Sequence, residues 1–232
     1  ANLPYYGIPM STQSPAMLDN QEFNRLGVRC ANSFASPFSK SVSSLWPELN
    51  ACLGGALLRG QLVEWGLPLG ERGRELVVSY VASVTQQRQW VLWTHAHGEY
   101  KIFPPAFAGR GAALPYLVFA ESQQPLKDLK RAFASSLFAL IVIDTSVSKA
   151  DKISLHKQAE LAYVQQCARE HGSLVFVLRS YLLSNQLGNT WAKRRINVRL
   201  RPDGQSFLLD VLRGPKAQRA FINIPKDEPC FI

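Results

Sequence analysis

Short apolar runs punctuate the middle of the chain: Gln61–Trp65, Trp90–Thr94, Tyr116–Ala120, Phe138–Asp144 and Leu174–Leu178. Their apolar residues run on without alternation, as in strands buried on both faces. Between them lie stretches of helical period. Arg74–Arg88 places Val77, Tyr80, Val81 and Val84 on one stripe, and Leu126–Ser135 follows Pro125 as a second helix. Ser154–His171 sets Leu155, Ala159, Ala162, Tyr163 and Cys167 on one face, with Gly172 placed to cap it. Strands alternating with helices predict an α/β fold, a mostly parallel sheet covered by helices on both faces. The stretch "RRINVRLRPDGQSFLLDVLRG" then gives two runs joined by Pro-Asp-Gly, the signal of a C-terminal antiparallel hairpin.

The ends have a different texture. Residues 1–44 are rich in Ser, Pro, Asn and Gln and form an N-terminal arm with one short helix near Met17–Leu26. The core spans 45–213 and opens on a short helix and a Gly-Gly turn within "LWPELNACLGGALLRG". Residues 214–232 carry Pro215, Pro225 and Pro229, which exclude a long helix. They also carry Phe221, Ile222, Ile224 and Phe231, too apolar to be left in water. Two readings stand: a segment that docks on a partner by strand addition, or the last strand of this chain's own sheet.

At 232 residues and 47% hydrophobic content, the chain can build one sizeable core. No apolar run approaches the ~20 residues of a membrane span, and the first ten residues lack the pattern of a secretory leader. Cys30, Cys52, Cys167 and Cys230 are too widely spaced for a zinc knuckle. A cytoplasmic protein with reduced thiols, no membrane contact and no metal is expected.

The net charge of +9 is unevenly placed. Residues 179–219 hold nine basic residues against two acidic ones, which directs attention to a polyanion or an acidic partner. Within "WAKRRINVRLRP", Trp191 is interleaved with Lys193, Arg194, Arg195, Arg199 and Arg201. In a strand, Arg195, Asn197, Arg199 and Arg201 share one face. Single-stranded DNA would stack on Trp191 and lay phosphates over the basic side chains. An edge strand protected by charge explains the same pattern equally well. His95 and His97 stand two apart at a strand end, but no third ligand is near in sequence, so loop histidines are the simpler account.

The chemistry concentrates in "PLGERGRELVVSYVA", residues 68–82, between a strand and a helix. A phosphate loop belongs there, and its pattern is G-x-x-x-x-G-K-[ST]. Here Pro68 stands at the first Gly, Gly73 at the second, Arg74 at the Lys and Glu75 at the Ser/Thr. Pro68 removes a backbone donor, and Arg74 offers a fork instead of a point charge. A Glu75 carboxylate ~4 Å from a phosphate would be repelled by about 4 kcal/mol at an effective dielectric near 20. The loop is degenerate, and no nucleotide or other cofactor is expected. The strand "LFALIVIDTS" ends in Asp144, the place of the Mg²⁺-holding aspartate of a Walker B strand.

The order of strand, loop, helix, "WVLWTHAH", "ALIVIDTS", "SLVFVLRS" and hairpin resembles the RecA ATPase core, from about Leu45 to Arg213. Against that family Ala96-His97 replaces the catalytic Glu before a His, and Arg179-Ser180 replaces the nucleotide-sensing Asn-Gln. The stretch Tyr181–Trp191 is much shorter than the family's second DNA-binding loop. The missing catalytic residues, with "GGALLRGQLVEWGLPLGERGRELV" and "RLRPDGQSFLLDVLRGP", are similar to the ImuA-type branch, which is related to SulA-type cell-division inhibitors. That resemblance implies a non-catalytic accessory protein of SOS-induced mutagenic translesion synthesis. Its partners would be an ImuB-type inactive Y-family polymerase subunit, an error-prone C-family polymerase and, by shared fold, RecA. The rival expectations are a SulA-type division inhibitor and an ATPase that uses Arg74 with a Glu75-held Mg²⁺.

Overall fold

The computed structural model describes residues 40–95, 102–122, 124–145, 158–185, 189–215 and 218–224. Among the described residues ten strands are formed: β1 (Ser41–Val42), β2 (Leu57–Leu58), β3 (Leu62–Gly66), β4 (Trp90–His95), β5 (Leu117–Glu121), β6 (Phe138–Asp144), β7 (Leu174–Arg179), β8 (Arg194–Leu200), β9 (Ser206–Arg213) and β10 (Arg219–Asn223). The helices are α1 (Pro47–Cys52), α2 (Arg74–Gln86), α3 (Pro104–Gly109), α4 (Pro125–Asp128), α5 (Lys130–Phe133) and α6 (Gln158–His171). A 3-10 turn, Leu114–Tyr116, leads into β5.

Eight strands make one sheet in the order β10-β9-β8-β3-β7-β6-β4-β5, and β1 and β2 pair separately. From β5 to β8 the pairing is parallel, while β8-β9-β10 is antiparallel. All five apolar runs lie on this sheet, displaced by a residue at most. The reason is visible in β6 and β7, where every residue is buried. A strand covered on both faces needs apolar residues throughout.

Two cores lie on opposite faces. The larger holds Trp65, Trp93, Phe176 and Phe207 from the sheet with Leu76, Tyr80 and Val84 of α2. Tyr80 and Phe176 meet edge to face at 5.3 Å. The smaller joins Leu62, Ile141, Ile143, Val175 and Val177 to Leu161 and Val164 of α6. Helix α2 is buried from Glu75 to Thr85. An apolar stripe therefore understated its burial: Ser79 and Thr85 are inside too, their hydroxyls donating to the Leu76 and Val81 carbonyls.

Two expectations need amendment. The expected helix Leu126–Ser135 is broken into α4 and α5 at Leu129, whose backbone leaves helical geometry. The fold also starts before Leu45, since Val42 of β1 is part of the larger core. The expected helix near Met17–Leu26 lies outside the described residues, as do His97, Cys30 and Cys230. Among the described residues, no helix is long and apolar enough to cross a membrane.

Candidate functional site

In an open parallel sheet, ligands sit beyond the carboxyl ends of the strands, where the connections diverge. Here that edge is formed by β3, β4, β6 and β7. Strand β3 ends at Gly66, and a Cβ there would stand 2.2 Å from Asn197 Oδ1, so only glycine fits. The loop that follows turns inward. Leu67 is fully buried, and its N–H donates to the Arg179 carbonyl of β7 at 2.8 Å. Glu71 reaches β8, its carboxylate accepting the Leu200 N–H at 3.2 Å. Arg72 adopts φ of 53°, a left-handed conformation that costs a non-glycine residue about 1 kcal/mol. At the start of α2, the N–H groups of Glu75 and Leu76 donate to the Arg72 and Gly73 carbonyls. The N–H groups of Leu67, Glu71, Glu75 and Leu76 thus serve β7 and the loop's own backbone.

The side chains close the rest. Arg74 lays its fork on Asp144, Nε to Oδ2 at 3.0 Å and a terminal nitrogen to Oδ1 at 3.4 Å. The Asp144 side chain has no exposure, and that of Arg74 has 26%. Glu75 does not stand bare toward the loop mouth. Arg72 holds it at 2.7 Å and Arg110, just past α3, at 2.9 Å. Its charge is neutralised by two guanidinium groups, which corrects the expected repulsion by a free carboxylate. Arg74 occupies the reach of a phosphate-binding lysine and spends it on the aspartate that a Mg²⁺ ion would need. A magnesium nucleotide does not fit this set of residues as they are arranged. His95 ends β4 in register with Asp144 of β6 and Glu121 of β5. Among the described residues, no three His, Cys, Asp or Glu side chains are grouped to hold a metal.

On the opposite face, Glu64 of β3 sits between two arginines, Arg179 at 3.2 Å and Arg195 at 2.9 Å. All three side chains are at least 95% buried. Arg195 also donates to the Ser184 carbonyl. Asn197, two residues on, holds Leu183 by both its N–H (2.7 Å) and its carbonyl (3.1 Å). The β7–β8 crossover has no helix of its own described, so these side chains satisfy backbone groups that a helix would have paired internally.

These contacts redistribute the expected DNA-binding set. Arg194 is buried, donates to the Leu53 carbonyl at the end of α1, and has its pKa lowered by that burial. Arg194 and Arg195 are therefore structural, and the expectation that they meet phosphates is corrected. Trp191, 45% exposed, and Lys193 lie at the start of β8. Arg199 and Arg201 are exposed at its far end. Six residues of strand separate Lys193 from Arg199, about 20 Å. The structure leaves two small basic points where the sequence had one continuous stripe. Arg213 is engaged as well, donating to the Asn189 and Ala192 carbonyls.

Residues 219–223 form β10, paired antiparallel with β9 at the sheet edge. Ile222 is 1% exposed and belongs to the larger core, so it cannot meet a partner directly. Ile224 packs against the same core, whereas Phe221 is 60% exposed. Phe231 lies outside the described residues.

The strand order and the hairpin settle the architecture, and a solved structure shares it. The crystal structure of the RadB recombinase superposes with a TM-score of 0.64, covering 81% of this chain and 97% of that one at 15% identity. The chain has the RecA-like fold. No protein-family profile matches it, and no curated protein sequence does.

Sequence reasoning missed Arg72 and Arg110 as the holders of Glu75, and it missed the Glu64 triad. The signal for the second was present: a lone carboxylate in the apolar strand "QLVEWG" demands a buried cation.

Proposed function

We propose that this protein is a non-catalytic accessory factor of SOS-induced mutagenic translesion DNA synthesis. It acts in the cytoplasm by docking to other proteins. The observation that carries the non-catalytic part is the Arg74–Asp144 fork, which occupies with the chain's own side chains the place of a magnesium nucleotide. The Arg72–Glu75–Arg110 cluster supports it, because a carboxylate held by two guanidinium groups is a poor Mg²⁺ ligand. The assignment to translesion synthesis rests on the ImuA-type resemblance of "GGALLRGQLVEWGLPLGERGRELV" and of the hairpin. Its partners are then an ImuB-type inactive Y-family polymerase subunit and an error-prone C-family polymerase. RecA, of the same fold, is a third. Single-stranded DNA is a weak ligand at most, through Trp191, Lys193, Arg199 and Arg201.

Two measurements test this reading. Calorimetry with millimolar Mg-ATP should show no heat of binding, and no phosphate should be released. Micromolar binding lost on Arg74→Ala would overturn the non-catalytic assignment and favour an ATPase with an unusual loop. Co-purification from DNA-damaged cells should bring down the polymerase subunits. Recovery of the tubulin-like division protein instead would favour the SulA-type reading.

A further inference from the structure

Among the described residues, the large sheet ends on one side at β10, which pairs only with β9. The Val211 N–H donates to the Gln218 carbonyl, and the Ile224 N–H to the Gln205 carbonyl. In an antiparallel ladder, every second residue turns its backbone groups to the same neighbour. Gln218, Ala220, Ile222 and Ile224 therefore serve β9, while Arg219, Phe221 and Asn223 turn their N–H and C=O groups away from it. At Asn223 the outward N–H is taken by the Glu48 carboxylate of α1, at 3.0 Å. That oxygen stands where the carbonyl of a further strand would. The outward groups of Arg219 and Phe221 meet no such partner among the described residues.

The side chains along this edge do not guard it. Natural edges are blunted by charge, by proline or by a cover. Arg219 supplies charge, but Phe221 beside it is 60% exposed. Register places Phe221 in one row with Leu208 of β9 and Arg199 of β8. The Arg201 guanidinium lies over the Phe221 ring at 5.0 Å. Arg201 and Arg219 have weak, exposed partners, Asp203 at 3.5 Å and Asp210 at 3.4 Å. Such pairs contribute little and exchange easily. Arg199 has no partner among the described residues. The edge therefore combines an open backbone, an exposed ring and one arginine more than its aspartates balance.

We propose that β10 receives an extended acidic segment of another protein as a further strand of the sheet. The segment's backbone pairs with the outward groups of Arg219 and Phe221. Cross-strand neighbours on one face stand about 5 Å apart, so an apolar side chain lies against Phe221 and a carboxylate two positions along meets Arg219. Arg201, over the ring, adds to the same attraction. Charge and backbone chemistry choose this occupant. A second copy would bring the same arginines and a net charge of +9 against the edge. A nucleic acid backbone offers acceptors alone to an edge that presents donors and acceptors in turn. The site lies three strands from β3. It gives the proposed docking role a surface, and it needs neither the nucleotide-site reading nor the translesion assignment.

The test uses the full chain and a fluorescein-labelled heptapeptide, Thr-Glu-Val-Phe-Val-Glu-Thr, read by fluorescence polarisation. Its order is symmetric, so either strand direction sets its Phe opposite Phe221 and one Glu opposite Arg219. The peptide should bind saturably. Two changes to the peptide, against unchanged protein, should each weaken binding at least tenfold: Lys in place of both Glu residues, and N-methylation of the Phe, which removes its backbone donor. Arg219→Glu and Phe221→Ser, both at exposed positions, should do the same. Absence of saturable binding, equal affinity for the Lys peptide, or indifference to N-methylation overturns the proposal. So does a chain that fails to bind the peptide but loses, on Phe221→Ser, self-association by light scattering or binding to a twenty-residue oligo-dT.

Discussion

Arg195 and Arg199 stand four residues apart on one strand and on the same face, yet they belong to different kinds of structure. Arg195 is buried, ion-paired to Glu64 and bonded to the Ser184 carbonyl. Arg199 is exposed and has no partner among the described residues. The difference lies in what crosses over them. The start of β8 runs beneath the β7–β8 connection, pinned by Asn197 and Arg195. Its far end runs out beyond β3, whose pairing with β8 stops at Asn197, into the hairpin with β9. Charge type is identical at the two positions, and the covering chain alone turns one arginine into a structural clamp and leaves the other on the surface.

Removing Glu64 should expose this contrast most strongly. Glu64→Ala strands two guanidinium groups in the interior and should cost about 3–5 kcal/mol in urea unfolding, enough to threaten folding altogether. A loss below about 1 kcal/mol would mean that water reaches the triad, and the division into buried and bare halves would fail.

The Arg74–Asp144 pair should give a smaller and asymmetric effect. Arg74→Ala leaves a fully buried carboxylate without its fork and should cost about 2–3 kcal/mol. Asp144→Ala should cost less, because Arg74 is already 26% exposed and can turn to water. Equal costs, by chemical denaturation, would show that both ends of the pair are equally trapped.

The exposed end should be nearly silent. Gln at Lys193, Arg199 or Arg201 should change stability by less than about 0.5 kcal/mol each. Any binding to single-stranded DNA should reflect about three phosphate contacts, a log–log salt slope near −2. A slope near −3.5 would require Arg194 and Arg195 to reach phosphates too, and the burial contrast would have to be abandoned.

How legible each region was follows from the same physics. The strands β3, β4, β6 and β7 could be read directly, because burial on both faces writes itself as an unbroken apolar run. The hairpin was equally plain, since Pro-Asp-Gly permits few other conformations. The degenerate loop was visible as Pro68, Arg74 and Glu75, because a phosphate site is defined by local residue order. What fills the loop was not visible. Asp144 is 70 residues from Arg74 in sequence, and Arg110 meets Glu75 only once the segment after α3 has come against α2. The basic stripe misled for a related reason: alternation assigns a side chain to a face of its strand, but not to water or to the underside of another segment.

By itself, the sequence determined the alternation of strands and helices, the closing hairpin and the loss of the phosphate-loop residues, all of which depend on neighbours within a few positions. The tertiary structure alone decided which charges are paired. Ion pairs such as Glu64 with Arg179 and Arg195 join residues more than 100 positions apart. Their partners are chosen by strand order, and strand order is fixed only when the whole sheet has assembled.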